Sequence, residues 1–488
     1  MTMRARIAPA AVLVAGLAVL ASLAVAAQTV DRTTPPSIGA PPELRLPTII
    51  KRQLPNGMGV WIVEHREVPV AQVTLVVRGG TAADPVGQYG IASMTAAMLT
   101  EGAGSRSALG IADAIDFLGA SLSTGSAIDS AAVRLFTPVA RLAEALPVMA
   151  DVVMRPTFPA EELERLRQQR LTGLLQARDD PGTIAALAFT RVLYGRAHRF
   201  GTATTGLEAT IRGFTPAELR AFYEATYRPD RATLIVVGDV TVDGVMSLLT
   251  ANFGEWSGRG TASQAPVLAT PPARTRRDVY LIDMPGAPQS QIRIGSVGVA
   301  RSTPDYFPLQ VLNTVLGGSF TSRLNMNLRE RRGYTYSAGS FIDMRQVPGP
   351  FFATASVQTD KTAESLVEFF NELGGILKPI PDDELVRAKN YVAFRFPGGF
   401  ETTGDIARRL EEAVAYSLPD DYFSQYVRAI QSVTAGDVAR VAARLIQPER
   451  MAVVVVGDRQ TIEAPIEALN LGPITVITVD EIFNPPTQ

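Results

Sequence analysis

A stretch of 25 residues occurs twice in this chain. TPAELRAFYEATYRPDRATLIVVGD starts at Thr215 and TAGDVARVAARLIQPERMAVVVVGD at Thr434, and the two align without a gap at an offset of 219. Pro229 meets Pro448, Arg231 meets Arg450, and Gly238 and Asp239 meet Gly457 and Asp458. Each copy reads as a capped helix, a proline turn and an apolar, β-branched strand. One helix and one strand cannot bury their apolar faces alone, so the repeat marks two copies of a larger unit. The expected fold class is α+β: two homologous α/β domains from an internal duplication, each a mixed β-sheet packed against helices.

The rest of the chain divides around those copies. At 488 residues it exceeds one ordinary core. Residues 1–27 read as a secretory signal peptide, with Arg4 and Arg6, an apolar run from Ile7 to about Ala24, and small residues through Ala27. Residues 28–49, holding Pro35, Pro36, Pro41, Pro42 and Pro47, read as an extended leader. The first domain is expected over 50–256, a Gly, Ser, Thr, Ala and Pro-rich linker over 257–277, the second domain over 278–470 and a tail over 471–488. Signal cleavage would deliver a periplasmic protein with no membrane attachment; an uncleaved membrane anchor is the alternative reading of the same run, which Pro9 and Gly16 inside it disfavour. The 46 Lys and Arg against 48 Asp and Glu leave no basic excess, which argues against nucleic acid as a partner. The absence of cysteine excludes disulfides, thiolate metal sites, a Cys nucleophile and a lipoprotein anchor.

Residues 90–102, GIASMTAAMLTEG, form an expected helix start, with Ile91, Met94, Met98 and Leu99 at roughly helical spacing and Gly102 as the stop. Read alone, this is a buried scaffold helix. Its neighbours are the entry NGMGVWIVEHREVPV, the turn RGGTAADP and the two VVGD strands. In that order, over about residues 48–470, the chain resembles the pitrilysin/insulinase family of zinc metallopeptidases, as a two-domain chain like those of mitochondrial processing peptidase. The resemblance implies paired α+β domains forming half of a clamshell around a peptide chamber. It also implies a metal helix of the type G-[ILV]-A-H-x-x-E-H-M-L, with a distant glutamate as third ligand. In this chain the two histidine positions are Ser93 and Ala97, the base position is Ala96, and the third-ligand position, eight before Pro181 in ARDDP, is Gly173. None of these can bind a metal or take a proton. The chain is therefore expected to hold no metal and no cofactor, and to cleave nothing alone. Its two histidines, His65 and His198, lie 133 residues apart without ligand spacing and read as exposed loop residues. Glu101 reads as a surface or capping residue.

The second half keeps another signature. In VLGGSFTSRLNMNLRERRGYTYSAGS, residues 315–340, Leu328, Arg329 and Tyr336 match the spacing of a family arginine and tyrosine that reach the substrate carbonyl beside the metal. That resemblance implies stabilisation of the tetrahedral intermediate, where loss of one donor typically costs ~3 kcal/mol. Taken alone, the same residues fit a basic surface helix and a core tyrosine, and Tyr334 competes with Tyr336. Gly317, Gly318 and Ser319 read as an ordinary turn or, by resemblance, as a loop that approaches bound peptide. The expected partner is an HxxEH-containing subunit of the same family, which would carry the zinc in a heterodimer acting on peptides. A purely structural or peptide-binding subunit, or a chaperone-like homodimer, are the alternatives.

Overall fold

The computed structural model describes Gly39 and residues 46–258, 268–271 and 273–483. The expected signal peptide, most of the leader and the middle of the linker lie outside the described residues. The first sheet holds β1 (Ile50–Gln53), β2 (Gly59–Glu64), β3 (Val70–Arg78), β4 (Ser121–Ser126), β5 (Ser130–Pro138) and β6 (Ala232–Gly238). The second holds β7 (Asp278–Asp283), β8 (Gln289–Val297), β9 (Thr335–Ile342), β10 (Pro350–Gln358), β11 (Ala452–Gly457) and β12 (Ile474–Ile477).

The strand orders are β1-β2-β6-β3-β5-β4 and β12-β7-β11-β8-β10-β9. In both, the strand that closes the half runs parallel to the strand that opens it, β6 on β2 and β11 on β7. Every inner neighbour beyond is antiparallel. The pairs β2 and β7, and β3 and β8, start at residues 59 and 278, and 70 and 289, repeating the offset of 219. The central strands are covered on both faces, which is why they read as unbroken apolar runs: all six residues of β11 are buried.

The copies differ at one edge. β1 precedes β2 and pairs with it antiparallel, whereas β12 follows the repeat and pairs with β7 in parallel. Residues 471–488, expected as a tail, thus carry a strand and the short helix Val479–Phe483, whose Ile482 and Phe483 are buried. A four-residue strand is too short to display a period of two.

Four helices shape the site and the seam between the halves: α1 (Ile91–Met98), α2 (Ala160–Ala177), α3 (Pro181–Tyr194) and α4 (Thr403–Tyr416). α3 belongs to the first copy, yet its Ile184, Ala185, Ala188 and Phe189 join Ala452, Val454 and Val456 of β11 in one apolar cluster. α4 belongs to the second copy, yet its Ile406, Ala407, Leu410 and Val414 share a cluster with Val63, Val76, Ile235 and Val237 of the first sheet. Each half lends a helix to the other's sheet. Across the same seam the Arg134 guanidinium grips Glu411 through two bonds of 2.8 and 2.5 Å, and Asp129 accepts from the main-chain N–H of Gln346 (3.0 Å) and the Tyr416 hydroxyl (3.1 Å). Among the described residues no helix is long and apolar enough to cross a membrane.

Candidate functional site

α1 starts at Gly90, whose φ of +98° suits glycine, and its first amides are satisfied by a carboxylate from the RGGTAADP turn. Asp84 accepts from Gly90 N–H (2.7 Å) and Ala92 N–H (2.9 Å), and its Oδ2 also accepts from Arg199 Nε (2.9 Å). Burial pushes the Asp84 carboxyl up, while the Arg199 guanidinium and the two amides pull it back. Arg199 donates as well to the carbonyls of Thr81 (2.8 Å) and Ala203 (3.1 Å), so this buried pair is well supplied with bonds. α1 ends at Met98, and Gly102, expected as its stop, instead opens a two-residue ladder with Arg106 and Ser107.

The four positions of the family's metal site, three on α1 and one on α2, are chemically empty. Ser93 and Ala97 are half-buried on α1, Ala96 is buried between them, and Gly173 is exposed on α2, where an added Cβ would meet nothing within 4 Å. One hydroxyl, two methyl groups and a missing side chain do not fit a zinc ion. Among the described residues no group of three or more His, Asp or Glu could hold a metal. Glu101, beyond the end of α1, is engaged by Arg165 (2.5 Å). The two histidines are not exposed as expected; both are half-buried. His198 stacks on Tyr194 with centroids 5.1 Å apart. Its Nδ1 accepts from Phe200 N–H (3.0 Å), so Nε2–H donates to Ala269 O (3.0 Å), and burial lowers its pKa. That tautomer is a structural clasp on the linker.

The second half presents an ordered group. Residues Met326–Arg331 are π-helical, with Arg332 N–H reaching back five residues to Asn327 O (3.0 Å). Such wide turns recur at functional sites. Arg329 sits on this turn, and Tyr336 sits on β9 where the pairing with β10 slips between Thr335 and Ala338. A bulge re-aims side chains, and this one is held by the Thr335 hydroxyl, which donates to Ser356 O (2.6 Å) and accepts from Ser337 N–H (3.1 Å). The Arg329 guanidinium carbon lies 4.9 Å from the Tyr336 ring centroid and 4.8 Å from that of Phe320. Tyr336 is 82% exposed and Phe320 57%, so the half-buried guanidinium lies beside two rings that face solvent. Glu330 touches Arg329 Nε at 3.1 Å. The ring beside Arg329 is thus that of Tyr336, whereas Tyr334 is tied through its main chain to Leu328 and Gln358.

Two residues that the sequence did not single out complete this group. Phe320 supplies the second ring, and Asn325 fixes the loop by donating to Phe320 O (2.7 Å) while accepting from Ala338 N–H of β9 (3.3 Å). The only sequence trace of Phe320 is a large apolar residue in a run of small polar ones. Gly317 and Gly318 pack closely behind it: a Cβ on Gly317 would lie 2.1 Å from Ser340 N, and one on Gly318 2.7 Å from the Asn313 side chain. The Ser319 hydroxyl donates to Thr314 O at 3.2 Å. β9 is therefore covered along its outer side by its own half. β4, the matching edge strand of the first sheet, is not: among the described residues nothing outside the sheet bonds to the main chain of 121–126.

Two sheets that share the order of their five other strands beyond one differing edge, with an emptied metal helix in the first half and a half-buried arginine beside an exposed tyrosine in the second, define a two-domain metallopeptidase-type chain without its metal site. The family model described as Insulinase (Peptidase family M16) matches residues 60–188, and the one described as Peptidase M16 inactive domain matches residues 213–392. The chain belongs to peptidase family M16, as an inactive-type member. A solved peptidase M16 inactive domain from Pseudomonas fluorescens superposes with a TM-score of 0.77 at 28% identity, over 84% of this chain and 98% of that one. A protease from Helicobacter pylori shares the fold, with a TM-score of 0.77 at 20% identity, over 84% of this chain and 100% of that one. By sequence the chain is 26% identical to an uncharacterized zinc protease of Mycobacterium bovis, over 80% of this chain and 90% of the relative. It is 23% identical to a non-peptidase homolog of Helicobacter pylori, over 77% and 86%.

Proposed function

We propose that this chain is the non-catalytic subunit of a heterodimeric zinc metallopeptidase, working in the periplasm after its signal peptide is removed. The observation that carries the reading is the Arg329 guanidinium held beside Phe320 and Tyr336 in a molecule whose own metal positions carry no ligand side chains. Arg329 spends Nε on Glu330, and the rest of its guanidinium and the exposed Tyr336 ring stand side by side on one ordered turn and strand. In the proposed complex they face the scissile carbonyl of a peptide held against an HxxEH-bearing partner, which supplies the metal and the base. Charge grows on that oxygen as the carbonyl becomes tetrahedral, so donors fixed beforehand bind the transition state more strongly than the ground state. Gly317, Gly318 and Ser319 set the height of the loop carrying Phe320 and bring it alongside the peptide. The open edge of β4 offers main-chain bonds to an extended peptide from this side.

The test is peptide cleavage by residues 28–488 alone, with the HxxEH partner, and with the partner after Arg329→Ala or Tyr336→Phe. We expect turnover only in mixtures containing this chain, with kcat reduced about 10²-fold or more by Arg329→Ala. Equal turnover with the double variant would leave the chain as a structural or peptide-binding subunit. Cell fractionation checks the compartment.

A further inference from the structure

α2 carries Arg165, Arg167 and Arg170, and the first two are matched by carboxylates: Arg165 by Glu101 and Glu162, Arg167 by Glu164. Arg170 is not. Among the described residues its guanidinium donates only to main-chain carbonyls, to Ser93 O at 2.8 Å and to Thr205 O at 3.5 Å, and no carboxylate comes within ion-pair distance. The acid that influences it, Asp84, is already engaged by Arg199 and two amides of α1. Arg170 is half-buried, and burial pulls it down to about 10, so it remains charged at neutral pH. Beside the buried Asp84 and Arg199 pair, the start of α1 thus carries a half-buried positive charge with no carboxylate partner among the described residues, in addition to the positive end of the helix itself. An uncompensated charge in such a place is costly, and three of its five N–H groups have no acceptor among the described residues.

The position of this charge is informative. Ser93 is the first of the emptied ligand positions, and Gly173, one turn beyond Arg170 on the same face of α2, leaves open space beside it. Along α1, the Ala96 carbonyl, one turn or about 5 Å past Ser93, accepts from the Thr124 hydroxyl of the open strand β4 at 2.7 Å. α1 thus links the Arg170 contact at Ser93 to β4, the strand with the open edge, through the Thr124 contact at Ala96.

We propose that Arg170 forms an anion subsite on the emptied metal face, and that its ligand is a carboxylate of an extended peptide, either the C-terminus or an acidic side chain. The proposal rests on peptide binding by this chain. A planar fork with free N–H groups suits a two-oxygen acceptor, and the missing side chain at Gly173 leaves the space that acceptor needs.

The experiment is fluorescence anisotropy on the full mature chain, using short labelled alanine-rich peptides with a free or amidated C-terminus and with Glu or Gln in mid-sequence. We expect carboxylate-bearing versions to bind roughly tenfold more tightly, the size of one charge-assisted bond. Added salt should shrink the preference. Arg170→Gln should abolish it, and Arg170→Lys, which keeps the charge and loses the fork, should retain part. The version that loses affinity when its carboxylate is removed identifies the source as terminus or side chain. Should Arg170→Gln fail to fold, as read by its thermal melt, Arg170→Lys decides alone. Equal binding of all peptides, or an unchanged preference in the folded variants, overturns the subsite while leaving peptide binding intact. Absence of any binding overturns both.

Discussion

Asp129 shows how a single side chain couples the halves. It comes from the first copy, and its Oδ2 accepts from Gln346 and Tyr416 of the second. Burial raises its carboxyl above the ordinary value, against the hydrogen bonds from Gln346 and Tyr416 and the Arg345 charge, with Asp343 adding to the rise. A raised carboxyl binds its proton in the folded state at a pH where the unfolded chain has released it. This group therefore contributes stability as pH falls through its folded value and carries a penalty above it. Asp129→Asn keeps an acceptor for both donors and removes the charge. The variant should melt above the wild type in mildly alkaline buffer, with an advantage that shrinks toward about pH 4, near the ordinary carboxylate pKa. Scanning calorimetry across that range checks it, and an advantage that grows on acidification would reverse the sign. Little at this scale was legible in the sequence. Arg329 and Tyr336 stood out because seven residues separate them in a recognisable run. The Asp84 and Arg199 pair, 115 residues apart, and the isolation of Arg170 carry no local pattern.

Among the elements, the platform around Arg329 depends on two departures from regular geometry, a π-helical turn and a bulge, and on a loop that must lie flat against β9. The glycines betrayed the loop in the sequence but not their purpose there, since a flexible turn and a close approach use the same residue. Gly317 has a negative φ of −158°, so what ties it to glycine is close contact and not the left-handed region. A methyl there would overlap Ser340 N at 2.1 Å and Gly339 C at 2.6 Å, both main chain. Gly317→Ala should displace the loop carrying Phe320 and lower stability by ~1–3 kcal/mol. In the mixture with the partner it should reduce turnover although no donor has been removed. Gly333, whose added Cβ meets nothing within 4 Å, makes a poor steric control because its φ of +67° disfavours any side chain. Gly374, with equal space and no such φ, is the better one. A Gly317→Ala protein with unaltered melting and turnover would separate the loop from the platform.

For the molecule as a whole, the duplication was legible because a constant offset survives in a helix, a turn and a strand together. The exchange of α3 and α4 was not. Both helices have an apolar stripe, and a stripe states that a helix packs without stating on which sheet. The exchange has a thermodynamic consequence. If α3 covered its own sheet, each half could retain a core when the other melted. Here the removal of either helix uncovers the partner sheet, where Val454 and Val456 of β11 are wholly buried, so the halves should unfold in one transition. Phe189 tests this directly. It is fully buried on α3 and its ring lies 5.8 Å from that of Phe352 on β10, in the other half. Phe189→Ala should cost ~3–5 kcal/mol. Calorimetry should show the whole transition moving to lower temperature as one peak, and hydrogen exchange should show amides of β3 and β11 losing protection together. A split peak, with β3 retaining its protection while β11 opens, would mean that the halves are independent bodies sharing a surface, and that the lent helices do not bind them into one folding unit.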